Sequence, residues 1–330
     1  MKALPLLGPN KWHEMKIAEM EKPSPKAGEI LVHIQAVGLN PVDYKTATNG
    51  NPKWAYPHIL GVDGAGIVAE VGEGVENVKV GDRVVYHGSF QQKGTYAEYA
   101  VTTAHSVSHI PDDVSFIEAA ALPCAGMTAY QALFRKLHIQ KGETILIQGA
   151  AGGVGGFAVQ LAALTGATII GTASKHNHDF IQSLGAHHMI DYHSEDVKEK
   201  VLELTNGRGV DCVLDAVGRK TATDALDMLA FNGRLAYIAG GPDFSLVKPF
   251  TKALSFHEIA LGGAHLEGGD KEAQIDLKVM GDELLKLVNE KKLNPLVHEI
   301  ISLHEVPKAL QKLSERHVRG KIVADLSTIQ

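Results

Sequence analysis

The 330-residue chain reads as an α/β protein, a doubly wound parallel sheet joined to a mostly β domain. Three observations predict this. From about Pro123, apolar runs of strand length alternate with helical patterns in βαβαβ order, which implies a parallel sheet covered on both faces. The first of those strands runs into a glycine-rich turn, Gly149-Ala150-Ala151-Gly152-Gly153-Val154-Gly155, and then a helix. Before residue 110, short strands recur with few helical patterns between them. The chain is also too long for one ordinary core, so two domains are expected.

In the first part, residues 29–37 alternate partly with period two, after a turn at 25–28. Residues 66–72 form a strand ending in glycine, 80–85 one that opens on a Gly-Asp turn, and 95–101 alternate again. Between them Asn40-Pro41 starts a turn. Ser115 can cap a helix over 116–122, with Glu118 as its partner three residues on. The second part places strands at 144–147, 168–172, 187–190, 210–214 and 234–238. Helices begin at 154, run through 180–184, and cover 197–204 and 221–229. In the first of these, Val154, Phe157, Ala158, Leu161 and Leu164 recur at helical spacing. Residues 256–262 read as a further strand. An amphipathic helix over 272–291 (Ile275, Val279, Leu284, Leu285, Val288), a strand at 297–301, a helix at 306–313 and a strand at 321–326 then take the chain back to its first domain. The expected domains are 1–122 with 267–330, discontinuous, and 123–266.

Composition excludes several functions. The hydrophobic fraction of 45% and charged fraction of 21% are those of a globular protein. A net charge of -6 offers no attractive field to nucleic acid or an anionic membrane. Two cysteines, Cys124 and Cys212, allow no disulfide framework beyond one bridge and suit a reducing compartment. The opening MKALPLLGPN holds a short apolar run with two prolines, unlike a signal peptide, and no stretch is apolar enough to span a bilayer. A cytoplasmic protein is expected. The 17 histidines are scattered. His105 and His109 fall in strand and loop, and His176, His178, His187 and His188 in loops, so they read as surface or satisfied residues rather than ligands.

The glycine turn carries the first chemistry. Glycines let the backbone approach a pyrophosphate, and the helix start supplies free N–H groups and a positive dipole end. Ala150 replaces the first glycine of G-x-G-x-x-G, while Gly152 and Gly155 keep the other two places. A plain turn in a parallel sheet is the competing reading.

Five stretches stand in one order: Gly38-Leu39-Asn40-Pro41-Val42-Asp43-Tyr44-Lys45, Gly61-Val62-Asp63-Gly64-Ala65-Gly66, Val80-Gly81-Asp82-Arg83-Val84, Ala119-Ala120-Ala121-Leu122-Pro123 and the turn at 149–155. With them the chain resembles the medium-chain dehydrogenase/reductase superfamily. Within it, the chain is similar to the zinc-independent quinone oxidoreductases, the group that includes zeta-crystallin. The resemblance covers essentially the whole chain. It implies a Rossmann domain that binds a dinucleotide through Ala151, Gly152, Gly153 and Val154, a GroES-like catalytic domain, and a homodimer paired through edge strands.

The zinc-dependent alcohol dehydrogenases of the superfamily provide a test. Their catalytic zinc takes a cysteine, a histidine and a second cysteine at places held here by Asn40, Val62 and Cys124. One thiolate cannot replace three protein ligands, so no metal is expected. Cys124 then reads as a small packed residue, a reactive thiol being the alternative.

The carboxylate that would bond the ribose 2′-hydroxyl of NAD should follow the second strand. Ala173 holds that place, followed by Ser174 and Lys175, a hydroxyl donor and a cation suited to a 2′-phosphate. NADPH is therefore the expected cofactor. Tyr192 resembles the family tyrosine near the adenosine phosphate, with His176 and His178 as weaker additions. Thr128, Gly218, Gly240 and Gly263 can line the nicotinamide, or simply serve tight turns. Lys321, with Arg319, lies in a segment resembling the family's closing stretch and is expected to reach a cofactor phosphate or the cleft.

Without metal, a hydride needs an electron-poor carbon, in a quinone or at the β-position of an enone or enal. Modest hydrogen bonding to the conjugated oxygen suffices there, and water can deliver the proton. Asn40 is the first candidate for holding that oxygen. Tyr44 is a candidate donor or acid, with Asp43 nearby. Both have plainer readings, a turn for Asn40 and packing for Tyr44. Two other classes stay open: a zinc alcohol dehydrogenase, and a non-enzymic NADPH-binding protein.

Overall fold

The computed structural model describes residues 1–266, 269–316, 318–327 and 329. It divides into two compact units, Met1–Met127 with Leu261–Gln330, and Thr128–Ala260. The chain leaves the first unit after Met127 rather than after 122 and returns at Leu261; the expected boundary residue 267 lies outside the described residues. Both shifts have a cause in packing. Pro123–Met127 forms a π-helical turn whose Cys124 N–H bonds Asp63 Oδ1 at 2.9 Å. His265 Nε2 lies 3.0 Å from the carbonyl of His87.

The first unit is organised by β1, Glu29–Gly38, whose Ile30, Val32 and Ile34 enter an apolar core with Leu4, Leu6, Tyr86 and Tyr96. Helix α1, Pro41–Asn49, follows almost at once. The expected turn at Asn40-Pro41 is thus a helix start. Proline suits the first helical position, where its missing N–H costs nothing, and the Asp43 carboxylate returns to the Asn40 N–H at 2.8 Å. Strand β2 is Asp63–Val71 and β3 Arg83–His87. Strand β3 begins later than expected because Gly81, at φ +94°, turns the chain first. Strand β4 is Tyr99–Thr103 and not 95–101; Thr95 and Tyr96 are buried among polar partners before it. Strand β5 is Ser108–His109, and α2, Phe116–Ala120, carries the expected Ser115–Glu118 capping box.

The second unit holds β6 (Thr144–Gln148), α3 (Gly153–Thr165), β7 (Thr168–Thr172), α4 (His178–Ser183), β8 (His188–Ile190), α5 (Val197–Leu204), β9 (Val210–Asp215), α6 (Arg219–Met228), β10 (Leu229–Tyr237) and β11 (Ser255–Glu258). Its six strands pair in parallel in the order β8-β7-β6-β9-β10-β11. Strand order reverses between β6 and β9, and the glycine turn sits there, where doubly wound sheets bind ligands. The strand expected over 256–262 ends at Glu258; Leu261–His265 is a short 3-10 turn of the first unit. His178 is a buried helical residue rather than a loop residue, its Nε2 3.2 Å from the Ala173 carbonyl.

The returning chain forms α7 (Lys271–Asn289), β12 (Val297–Ser302), α8 (Val306–Ser314) and β13 (Lys321–Asp325). Helix α7 buries Leu277, Met280, Leu284, Leu285 and Val288, while Val279 of the expected apolar face is exposed. In the first unit's sheet, β12-β13-β1-β2-β3-β5, strand β1 pairs with β4 near its start and with β13 near its end. The antiparallel register Val323 with Gly38 draws Lys321 past Gly38 toward Asn40.

Candidate functional site

In the second unit, the turn after β6 is held by backbone. Gly149, at φ +75°, donates to Thr172 Oγ1, and Ala150 N–H donates to the Thr172 carbonyl at 3.0 Å. A Cβ at Gly155 would lie 2.2 Å from the Gly149 carbonyl oxygen, so helix and strand pack too closely there for any side chain. At Gly152 the nearest atom would be 3.5 Å away, which leaves the outer side of the turn open. Gly152, the N-cap of α3, has no side chain with which to cap the first-turn N–H groups of Gly153 and Val154. These features fit a pyrophosphate.

The neighbouring strand ends converge on the turn. Asp215 Oδ1 accepts from Val217 N–H and Gly218 N–H, fixing the turn after β9. Gly240, at φ +114°, would place a Cβ 3.7 Å from Arg219, so Gly218, Arg219 and Gly240 meet. Arg219 is absent from the sequence reading; a cation opening the helix after β9 is the signal that could have found it. Thr128 is buried in a short helix that packs on α3.

Beyond β7, Ala173 is buried. Ser174 Oγ lies 3.1 Å from Tyr192 Oη, Tyr192 is half exposed, and Lys175 is exposed beside Ser174. Ser174, Lys175 and Tyr192 thus form one group with no carboxylate at 173. His178 turns inward and stands apart from it. Gly263 and Lys321 belong to the first unit; Gly263 is exposed, and Lys321 is buried on partners of that unit.

Those partners form the first unit's polar centre. Lys321 Nζ donates to Asn40 Oδ1 at 2.6 Å and to the Leu39 carbonyl at 3.0 Å, and lies 3.5 Å from Asp63 Oδ2. Asn40 Nδ2 donates to Asp63 Oδ2 at 2.8 Å and to the Gly38 carbonyl at 3.3 Å. The Asn40 amide is therefore engaged at both ends inside the cluster. Asp43 Oδ2 accepts from Tyr96 Oη at 2.7 Å. Burial pushes Asp43 up to about 7, against the pull of the Tyr96 and Asn40 hydrogen bonds. Burial also raises Asp63, opposed by Lys321, Asn40 and the Cys124 N–H. Asp43 lines a cavity of 10 Å³ with Thr46, Trp54 and His58, room for about one water. Tyr44 is outside this group, packed against the Trp12 ring at 6.2 Å.

Asp63, Tyr96 and His87 are residues to which sequence reasoning assigned no role, and Lys321, expected at a cofactor phosphate or the cleft, lies with them. Asp63, a charged residue inside the glycine-rich Gly61–Gly66 stretch, was the available signal. Asp63, His87 and Cys124 hold potential ligand atoms within 4.8 Å of one another. The places of the superfamily's catalytic zinc do not fit that ion: Asn40 is engaged, Val62 is apolar, and only Cys124 is a ligand type.

Comparisons with known proteins agree with this architecture. The alcohol dehydrogenase GroES-like domain matches residues 26–112, and the zinc-binding dehydrogenase domain matches 153–279. A quinone oxidoreductase of Pseudomonas aeruginosa is 34% identical over 307 residues, 92% of each chain. The solved quinone oxidoreductase of Pseudomonas syringae pv. Tomato DC3000 superimposes with a TM-score of 0.86 at 32% identity, covering 98% of this chain and 99% of that one. The human synaptic vesicle membrane protein VAT-1 homolog-like protein gives 0.87 at 28% identity, covering 100% and 99%. The chain belongs to the medium-chain dehydrogenase/reductase superfamily, with zeta-crystallin-like quinone oxidoreductases among its homologues. It is accordingly an oxidoreductase of a class that binds a nicotinamide cofactor.

Proposed function

We propose that the protein transfers hydride from NADPH to quinones or α,β-unsaturated carbonyls without a metal. The observation that carries this reading is the Lys321 ammonium buried beside Asn40 and Asp63, where the zinc enzymes of the superfamily keep their cation. NADPH, when bound, supplies the hydride. The 149–155 turn holds its pyrophosphate through backbone N–H groups. Ser174, Lys175 and Tyr192 take the 2′-phosphate, which no carboxylate at 173 repels. In the first unit, Asn40 positions Lys321 and Asp63, and Asp43 lines a cavity with room for about one water, where it can hold or release a proton. An enone or enal gains the hydride at its β-carbon and a proton at the α-carbon, giving a saturated carbonyl. A quinone gains the hydride at a ring carbon and a proton at one oxygen; a proton then leaves that carbon as the second oxygen takes one up, giving a hydroquinone.

The protein works in the cytoplasm; both cysteines are free, and no helix among the described residues is long and apolar enough to cross a membrane. It pairs as a homodimer through β11, the open edge of the parallel sheet, where half-exposed Phe244 packs on Phe256. Light scattering that finds monomer alone would refute the pairing.

The test of function is a screen of NADPH oxidation over quinones, enals, enones and simple ketones. Turnover of the conjugated acceptors is expected. Turnover confined to simple ketones would sink the proposal, and no turnover with firm NADPH binding would favour a binding protein.

A further inference from the structure

We propose that Lys321 is a built-in cation guarding a latent divalent-metal site formed by Asp63, His87 and Cys124, which excludes zinc from the native chain and becomes a zinc site once the lysine is removed. This rests on the metal-free reading above and deepens it.

The ligand set differs from the superfamily's own, since it uses neither residue 40 nor residue 62. It is held by rigid elements. Asp63 and His87 are direct cross-strand partners in the antiparallel β2–β3 pair, so their side chains leave the same face. Cys124 comes from the π-helical turn, whose N–H is already bonded to Asp63. A carboxylate oxygen, an imidazole nitrogen and a thiol sulfur lie within 4.8 Å of one another. Around one zinc ion such ligands stand about 3.3–3.8 Å apart, so closure needs a shift of about an ångström.

A second observation points to a ligand. His87 is 1% exposed and its Nδ1 is buried with no hydrogen-bond partner. A buried ring nitrogen left without a partner is costly, and such groups call for an explanation. A metal-ligating role lost to a competing cation supplies one. The rest of the ring is fixed by stacking on His265 and edge contact with Phe90.

The competing cation is Lys321. Its Nζ sits 3.5 Å from Asp63 Oδ2, is anchored on Asn40 and Leu39, and is almost wholly buried. Its charge is felt at both His87 and Cys124. A divalent ion bound to Asp63 would share that low-dielectric space with a fixed ammonium and be repelled. With the lysine gone the charges balance: one Zn²⁺, the Asp63 carboxylate, a Cys124 thiolate and neutral His87 sum to zero. The thiol proton is released to solvent as the Zn–S bond forms.

The test is Co²⁺ and Zn²⁺ binding to native protein and to Lys321→Met, near neutral pH with a non-chelating reductant. Native protein is expected to take up neither ion. Lys321→Met should bind stoichiometrically, at least about a thousandfold tighter, with the near-ultraviolet absorption of a cobalt–thiolate bond. Adding Cys124→Ser or His87→Ala to Lys321→Met should abolish uptake. Lys321→Gln, which keeps a donor toward Asn40, serves if the methionine variant does not fold. If neither folds without metal, rescue of folding by Zn²⁺ that depends on Cys124 supports the proposal, and failure of rescue overturns it. Stoichiometric zinc in the native protein overturns both this proposal and the metal-free reading. No uptake by any variant overturns the guard alone and leaves the metal-free reading standing.

Discussion

The turn after β6 and the cluster around Asp63 are both polar centres, but they are made of opposite materials. The turn is consecutive backbone: Gly149, Ala150 and Gly152 are neighbours in sequence, and their carbonyls and N–H groups bond within the turn or to Thr172 one strand over. The cluster is side chains from β2, β3, β13, α1 and the loop before β4, and its tightest bond joins Asn40 to Lys321 across 281 residues. Backbone sites tolerate little change of shape. Side-chain clusters tolerate little change of charge.

The largest expected effect breaks the cluster. In metal-free buffer, Lys321→Met leaves Asp63 buried without its counter-ion and should cost about 3–5 kcal/mol in urea unfolding. Adding Asp63→Asn should recover much of that loss; a double variant no more stable than the single would contradict the paired-charge account.

Gly155→Ala is the counterpart at the turn. Its Cβ, 2.2 Å from a backbone oxygen, should cost about 1–3 kcal/mol and abolish NADPH binding. Gly152→Ala should leave stability within about 0.5 kcal/mol, because its Cβ meets nothing closer than 3.5 Å. Equal stability losses at the two glycines would show that the turn is not packed as described.

Charge in the cluster also sets a pH response. Asp43 titrates near 7 when folded and at its usual 3.8 when unfolded, so between these values the folded chain holds an extra proton. That stabilises the fold at low pH and is lost as pH rises toward 7. His58 and His87, pushed down by burial to about 4 and about 3, act oppositely, since the unfolded chain takes up protons they refuse. Asp43→Asn removes this opposition to the histidines, leaving Asp63, also raised by burial, as the cluster carboxylate that still acts against them. The variant's stability should fall faster than that of native protein from pH 6.5 to 4, by about 1.4 kcal/mol per unit. Parallel profiles would mean that Asp43 titrates normally.

Smaller effects belong to the group formed by Ser174, Lys175 and Tyr192. Lys175→Ala should weaken NADPH binding about tenfold to a hundredfold and leave NADH unchanged. Tyr192→Phe removes one half-exposed hydrogen bond to Ser174 and should cost less than about fivefold.

The same contrast explains what could be read from sequence. Helix α5 and strand β7 match their expected limits, and β6, α3 and β12 differ only at their ends, because their signals are local periodicity. That Ser174 and Lys175 directly follow the end of β7 was legible, because the strand end is marked by local pattern. The Asn40 helix start was misread as a turn, since Asn-Pro serves both and only Asp43 and the core beneath α1 decide. Lys321 was expected at a cofactor phosphate or the cleft, with no partner named. Its real partners depend on the register of β13 against β1, which no local pattern encodes. Tyr44 and Tyr96 differ in the same way: the one beside Asn40 in sequence packs on Trp12, while the distant one bonds Asp43.

The most direct measurement is NADPH oxidation by a simple para-quinone with protein stripped by chelator, before and after adding Zn²⁺. Metal-free hydride transfer predicts full turnover in the stripped enzyme, no gain from zinc, and a clear preference for NADPH over NADH. Turnover that vanishes on stripping and returns with zinc, or that NADH supports equally well, would contradict it.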